Sequence, residues 1–228
     1  MVTRRVPGGW WPEALLLAGF VALTAALAAG WFLDLDLAVR AWSERHQSTV
    51  IYWAARALNY LGNSGPLSVL ALVIAALVAR RLGSLRPLLV PVIAFAVTIG
   101  VVLPVKLLTD RAAPRSPLSD AVEPFNDLPP GEYGESYPAG HMVVAIIWFR
   151  VLLTLVAALV PVPSRLGVAI RVAPPLIVAF TTTYLNFHWL TDVVAGLLLG
   201  LLLDRLLARV PWMQLTPATP TRAADRSG

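Results

Sequence analysis

At 228 residues, 57% of them hydrophobic and 14% charged, with a mean hydropathy of +0.71, the chain is too apolar to cover itself with a water-soluble surface. Cysteine is absent, which excludes a disulfide framework, a thiol nucleophile and Cys-based zinc or iron–sulfur centres. The net charge of +5 does not point to nucleic acid, because the basic residues fall mainly at the ends of apolar runs and not in one patch.

The expected fold is all-α: a polytopic membrane bundle of about six transmembrane helices. The first apolar run goes from about Glu13 to Leu33, close to the ~20 residues that cross a hydrocarbon core. Arg4 and Arg5 precede it, and Trp10 and Trp11 stand where an interfacial aromatic belt would be. Ala26-Leu27-Ala28 resembles a signal-peptide cleavage site, but the run continues through Trp31-Phe32-Leu33, so a retained span is expected. A polar stretch from Asp34 to about Thr49 follows, then a short interfacial helix over Ile51 to Leu61.

The second span is expected around Gly62 to Val78, ended by Arg80, Arg81 and Arg86. A third runs from about Leu88 to Leu108, with Pro91 and Pro104 tolerable because neighbouring helices satisfy the freed backbone groups. Thr109 to Tyr137, rich in Pro, Gly, Asp and Glu, is the one long polar loop. Spans four, five and six cover about His141 to Val160, Val168 to Leu185 and His188 to Val210. Residues 1–212 therefore read as one six-span domain, and 213–228 as a disordered cytoplasmic tail. With both termini in the cytoplasm, Arg80, Arg81, Arg86, Arg165 and Arg171 obey the positive-inside rule. The long loop and the turn near Asn186 to Leu190 then face outward.

Of three histidines, His141 and His188 sit at the expected outer ends of spans four and six, beside the long loop, while His46 is expected in a polar loop. Singly, each is as well explained as an interfacial anchor. Asp192 follows His188 by four residues, so on a helix the two share a face. A carboxylate on one imidazole nitrogen leaves the other as an oriented base or nucleophile. The lesser alternative for Asp192 is a helix-start carboxylate meeting the macrodipole. His141 follows Tyr137-Pro138-Ala139-Gly140, where free backbone N–H groups at a helix start suit a phosphate. A histidine there is placed to protonate a leaving oxygen. Lys106 adds positive charge at the same face, although a lone lysine there also fits simple snorkelling.

Three segments, Lys106 to Pro114 (KLLTDRAAP), Tyr137 to His141 (YPAGH) and Thr181 to Asp192 (TTTYLNFHWLTD), resemble in order and spacing the motifs of the type 2 phosphatidic acid phosphatase and vanadium haloperoxidase superfamily. The family pattern is K-x6-R-P, then P-S-G-H, then S-R-x5-H-x3-D. The resemblance implies that His188 attacks phosphorus to give a phosphohistidine, Asp192 orients it, and His141 protonates the leaving lipid oxygen. Lys106 would hold phosphate oxygens, and the phosphatase members need no metal or organic cofactor.

Three departures stand out: Ala113 replaces the first motif's arginine, Ala139 the second motif's serine, and Thr181-Thr182 the third motif's Ser-Arg. Two phosphate-binding cations are missing, a loss worth several kcal/mol of transition-state stabilisation unless something replaces them. Arg111 and Arg115 flank the gap and are the candidates to swing in. Arg150, near the middle of span four, is expected to pair inside the bundle, because an unpaired charge there costs at least about 2.5–3.5 kcal/mol.

Three functions fit. One is a phosphatase for an isoprenoid phosphate, phosphatidate or similar lipid, at the outer face of a bacterial plasma membrane. Another is a phosphotransferase, like the sphingolipid synthases, whose singly charged phosphodiester needs fewer cations. A third is a lipid-binding relative without activity, against which the presence of both histidines, Asp192 and Lys106 argues. The partners implied are a lipid phosphate and membrane lipids.

Overall fold

The computed structural model describes residues 8–126, 128–129 and 134–210. Eight α-helices follow in chain order: α1 (Trp11–Ala28), α2 (Leu33–His46), α3 (Thr49–Leu58), α4 (Ser64–Leu82), α5 (Leu89–Thr109), α6 (Gly140–Leu159), α7 (Ser164–Tyr184) and α8 (Leu190–Ala208). The tail expected from residue 213 lies outside the described residues.

Five of these helices, α1, α4, α5 (with the 3-10 turn that precedes it), α6 and α7, are long and apolar enough to cross a membrane. The sixth expected span, α8, has 19 residues but carries Asp192, Asp204 and Arg205. Those charges are matched within the bundle, as any charge at membrane depth has to be, and α8 packs against α6 and α1. The protein is thus an integral membrane bundle of long helices.

Exposed Leu15, Val21, Val69, Val73, Val92, Ile99, Leu176 and Phe180 make the outer surface apolar, the reverse of a soluble protein. At the centre stands α6: 61% of its apolar window is buried, against 17% to 28% for the other four. Where lipid is as apolar as the core, helices associate by close approach of small residues. A side-chain carbon on Gly196 would fall 2.6 Å from the Ala139 carbonyl oxygen, and one on Gly62 would fall 2.9 Å from that of His141. Both glycines bring chain against the start of α6.

The polar stretch after α1 is not a loop. Gly30, in the left-handed region (φ 81°), ends the first span, and Leu33–His46 folds as a helix with Asp36 and Ser43 buried. Its mean polarity hides this, because the buried positions are themselves polar. Helix α3 starts at Ser48, whose hydroxyl accepts from the Ile51 amide, and it leaves Val50, Ile51 and Trp53 exposed, as an interfacial helix would.

The ends of the bundle differ. α4, α6 and α8 begin, and α5 and α7 end, at one end, here the site end, with α2 and α3 beside them. At the far end Glu13 of α1 meets Arg205 of α8 and Arg209 just after it. Between that end and mid-depth Arg150 pairs with Asp204, which also accepts from Arg171. That is the intrabundle partner expected for a mid-span arginine.

Candidate active site

The loop between α5 and α6 closes on itself. The Ser136 amide donates to the Arg111 carbonyl at 2.9 Å, which brings the two ends of the loop side by side. Inside it, Ala112, Ala121 and Val122 pack on Trp189, whose indole N–H donates to the Ala112 carbonyl at 2.9 Å. The described part of the loop is thereby anchored at the site end.

Beside it lies a cavity of about 620 Å³ lined by Lys106, Arg115, Glu135, Ser136, His141 and His188, with Gly62, Asn63, Ser64 and Phe187 completing the lining. The two imidazoles stand with ring centres 5.5 Å apart at 66°. His141 occupies the first turn of α6. No side chain caps that helix, so the amides at Gly140 and His141 face the cavity end without a helical acceptor. The Ala139 amide donates to the Asp192 carbonyl oxygen at 2.9 Å, tying the start of α6 to α8.

His188 lies in the turn before α8. Its Nδ1 is 2.7 Å from the Ser136 carbonyl oxygen, and since a carbonyl only accepts, Nδ1 carries the proton. The lone pair is left on Nε2. Asp192 is farther from Nδ1, at 3.7 Å, so it is not the direct hydrogen-bond partner suggested by the four-residue spacing. The Ser136 hydroxyl stands between them, donating to Asp192 Oδ2 at 2.5 Å and lying 3.4 Å from Nδ1. Burial pushes the His188 imidazole below its ordinary value, as does Lys106, while Asp192 and the Ser136 carbonyl oppose the shift.

The remaining contacts of Asp192 run away from the cavity. Oδ2 accepts from the Trp189 amide at 2.9 Å, closing a capping box at the start of α8, and Oδ1 accepts from Arg111 Nη1 at 2.6 Å. Arg111 is fully buried. Its other donors go to Asp36 Oδ2 at 2.7 Å, Thr191 Oγ1 at 2.8 Å and the Val122 carbonyl oxygen at 2.6 and 2.8 Å. The expectation that Arg111 swings toward a phosphate is therefore corrected. It does not line the cavity, because two carboxylates hold it behind Asp192.

Arg115 does line the cavity, exposed and with its guanidinium 4.6 Å from the centre of the Phe187 ring. Lys106 also lines it, and its ammonium donates to the Glu135 carbonyl oxygen. Where the third motif carries arginine, Thr182 is buried and its hydroxyl donates to Asn59 Oδ1 at 2.9 Å, as does that of Thr181 at 3.0 Å. The cationic side chains lining the cavity are therefore Lys106 and Arg115. Among the described residues no group of three His, Asp or Glu is gathered as a metal site.

Sequence reading missed Asp36, Ser136 and Asn59. The only hint was that Asp36 is an acidic residue just after an apolar span; nothing in local spacing links it to Thr191, 155 residues away.

The structure is similar to the crystal structure of a transmembrane PAP2-type phosphatidylglycerolphosphate phosphatase from Bacillus subtilis. The TM-score is 0.71 and the identity 21%, over 87% of this chain and 94% of that one. No curated protein matches the chain. The profile of the PAP2 superfamily matches residues 87–215, more than half of the sequence and a stretch that holds both histidines, Asp192, Lys106 and Arg115, and by that match the chain belongs to the PAP2 superfamily.

Proposed function

We propose that the protein hydrolyses a lipid phosphate monoester, such as an isoprenoid phosphate or a phosphatidate, through a phosphohistidine. The observation that carries this reading is the pair of imidazoles 5.5 Å apart over one cavity, with the proton of His188 fixed on Nδ1 and Lys106 and Arg115 on the walls. His188 Nε2 attacks phosphorus while the bond from phosphorus to the lipid oxygen breaks, and protonated His141 gives that oxygen its proton. Water then attacks the phosphohistidine, His141 takes the water's proton, and inorganic phosphate leaves. Lys106, Arg115 and the amides at Gly140 and His141 hold the phosphoryl oxygens. The site faces outward and both termini face the cytoplasm of a bacterial cell. Supporting that orientation, Arg80, Arg81, Arg165 and Arg171 sit at or toward the far end.

A second reading, transfer of a phosphorylated head group between lipid alcohols, is favoured by one specific observation. With Arg111 held by carboxylates and Thr182 in the place of an arginine, two cationic side chains suit a singly charged diester better than a dianion. The test is purified protein in vesicles. Release of inorganic phosphate from a lipid monoester supports hydrolysis; head-group exchange from a diester donor to a lipid alcohol, with no free phosphate, overturns it in favour of transfer.

A further inference from the structure

We propose that Asp36 and Arg111 are positioning residues for His188: together they hold Asp192 and Ser136 so that one unneutralised negative charge stands behind the nucleophilic imidazole. The inference rests on the reading of His188 as nucleophile. Two carboxylates, Asp36 and Asp192, share the single guanidinium of Arg111, and all three side chains are excluded from solvent. When Nε2 bonds to phosphorus while Nδ1 keeps its proton, the ring becomes cationic. The surplus negative charge answers that cation in a low-dielectric setting, where it counts for far more than in water.

The geometry divides the work. Arg111 engages only Oδ1 of Asp192, leaving Oδ2 for the Ser136 hydroxyl and the His188 side. Without Asp36, the whole guanidinium charge would fall on Asp192 and cancel it. Asp36 is also fixed at the start of α8, where its Oδ1 accepts from the Thr191 amide at 3.0 Å and its Oδ2 from the Thr191 hydroxyl at 2.5 Å. It joins α2, the loop and α8 at one point. Burial pushes the Asp36 carboxyl up from its ordinary value, and Arg111 and the Thr191 donors pull it back down. Among the described residues the other charged or titratable groups around His188 are Lys106 of α5, Arg115 of the loop, His141 of α6 and Asp192 of α8.

The test is Asp36→Asn, which keeps an oxygen for the Thr191 amide and removes the charge. The midpoint of the His188 ring is read by NMR in detergent micelles, where three histidines make the assignment tractable. The expected result is a midpoint lower by about half a pH unit or more, and a kcat lower by about tenfold or more with KM unchanged. Asp36→Glu, which restores the charge, should recover most of both. An unmoved midpoint overturns the proposal, and so does loss of the fold in both Asp36→Asn and Asp36→Ser, which makes Asp36 a structural tether. The NMR readout needs no substrate. A shifted midpoint in a protein that turns over no lipid phosphate would therefore sink the functional reading and leave the charge network standing.

Discussion

The two ends of the bundle carry ion clusters of opposite make-up. At the site end two carboxylates, Asp36 and Asp192, share one guanidinium. At the far end two guanidiniums, Arg150 and Arg171, share Asp204, and Arg205 and Arg209 both reach Glu13. All three histidines lie at the site end, and the surplus carboxylate there stands behind His188 and opposes the effect of burial on its ring. The far end has surplus positive charge, and Arg171, half exposed, can face lipid head groups. Both clusters tie helices together, but only the first is arranged about a cavity that holds two imidazoles. Burial of ion pairs is thus no mark of function by itself; the sign of the surplus and what it faces make the difference.

That contrast can be broken most directly at His188. Replacement by Ala should cost about 10⁴-fold in turnover while leaving the thermal unfolding of the micellar protein in place. Phosphate release above a tenth of the wild-type rate would erase the functional distinction between the ends. At the far end, Asp204→Ala strands two arginines and should cost about 3–5 kcal/mol of stability in a denaturant titration. The molecules that stay folded should keep their kcat within about twofold, because nothing in that cluster touches the cavity.

Smaller effects sharpen the same comparison. Arg115→Ala should lower kcat/KM by about 10²-fold with no change in stability, whereas Arg171→Ala, at the far end, should leave kcat/KM unchanged. Equal losses in both would mean that long-range positive charge, and not contact with phosphate, is what Arg115 supplies. The smallest effect concerns pH. An imidazole with the ordinary value of about 6.5 is half protonated at that pH and loses half of its nucleophile. His188 is held lower by burial, so it stays neutral further into acid, and kcat/KM at about pH 6.5 should keep well over half of its plateau. An acid limb centred above that pH would contradict the buried setting of His188.

Much of the bundle was legible because membrane helices write their length directly into the chain. The spans expected at Leu88 to Leu108 and His141 to Val160 appear as Leu89–Thr109 and Gly140–Leu159. Arg150 was legible for the same reason, since a charge at mid-depth demands a partner. Helix α2 was not, because it lies at the end of the bundle, where helices need neither ~20 apolar residues nor a clear apolar stripe. The spacing of four put His188 and Asp192 on one face of an expected helix, but His188 lies in the turn before α8, and the spacing was blind to Ser136, a loop residue that comes between them. Arg111 was misread for a related reason. Proximity in sequence to Lys106 says nothing about which side of the loop backbone a side chain leaves, and two carboxylates from distant helices decide that here.

The bond from the Ala139 amide to the Asp192 carbonyl oxygen, with the bare flank of Gly196 beside it, ties the two histidine-bearing segments directly to each other. Their spacing cannot be retuned without a wedge such as Gly196→Leu, which would pry them apart. Any change in the fit of a lipid then falls on the cavity's other lining residues, such as Asn63 and Ser64. The spacing of the two imidazoles is thereby a property of how the start of α6 seats on α8.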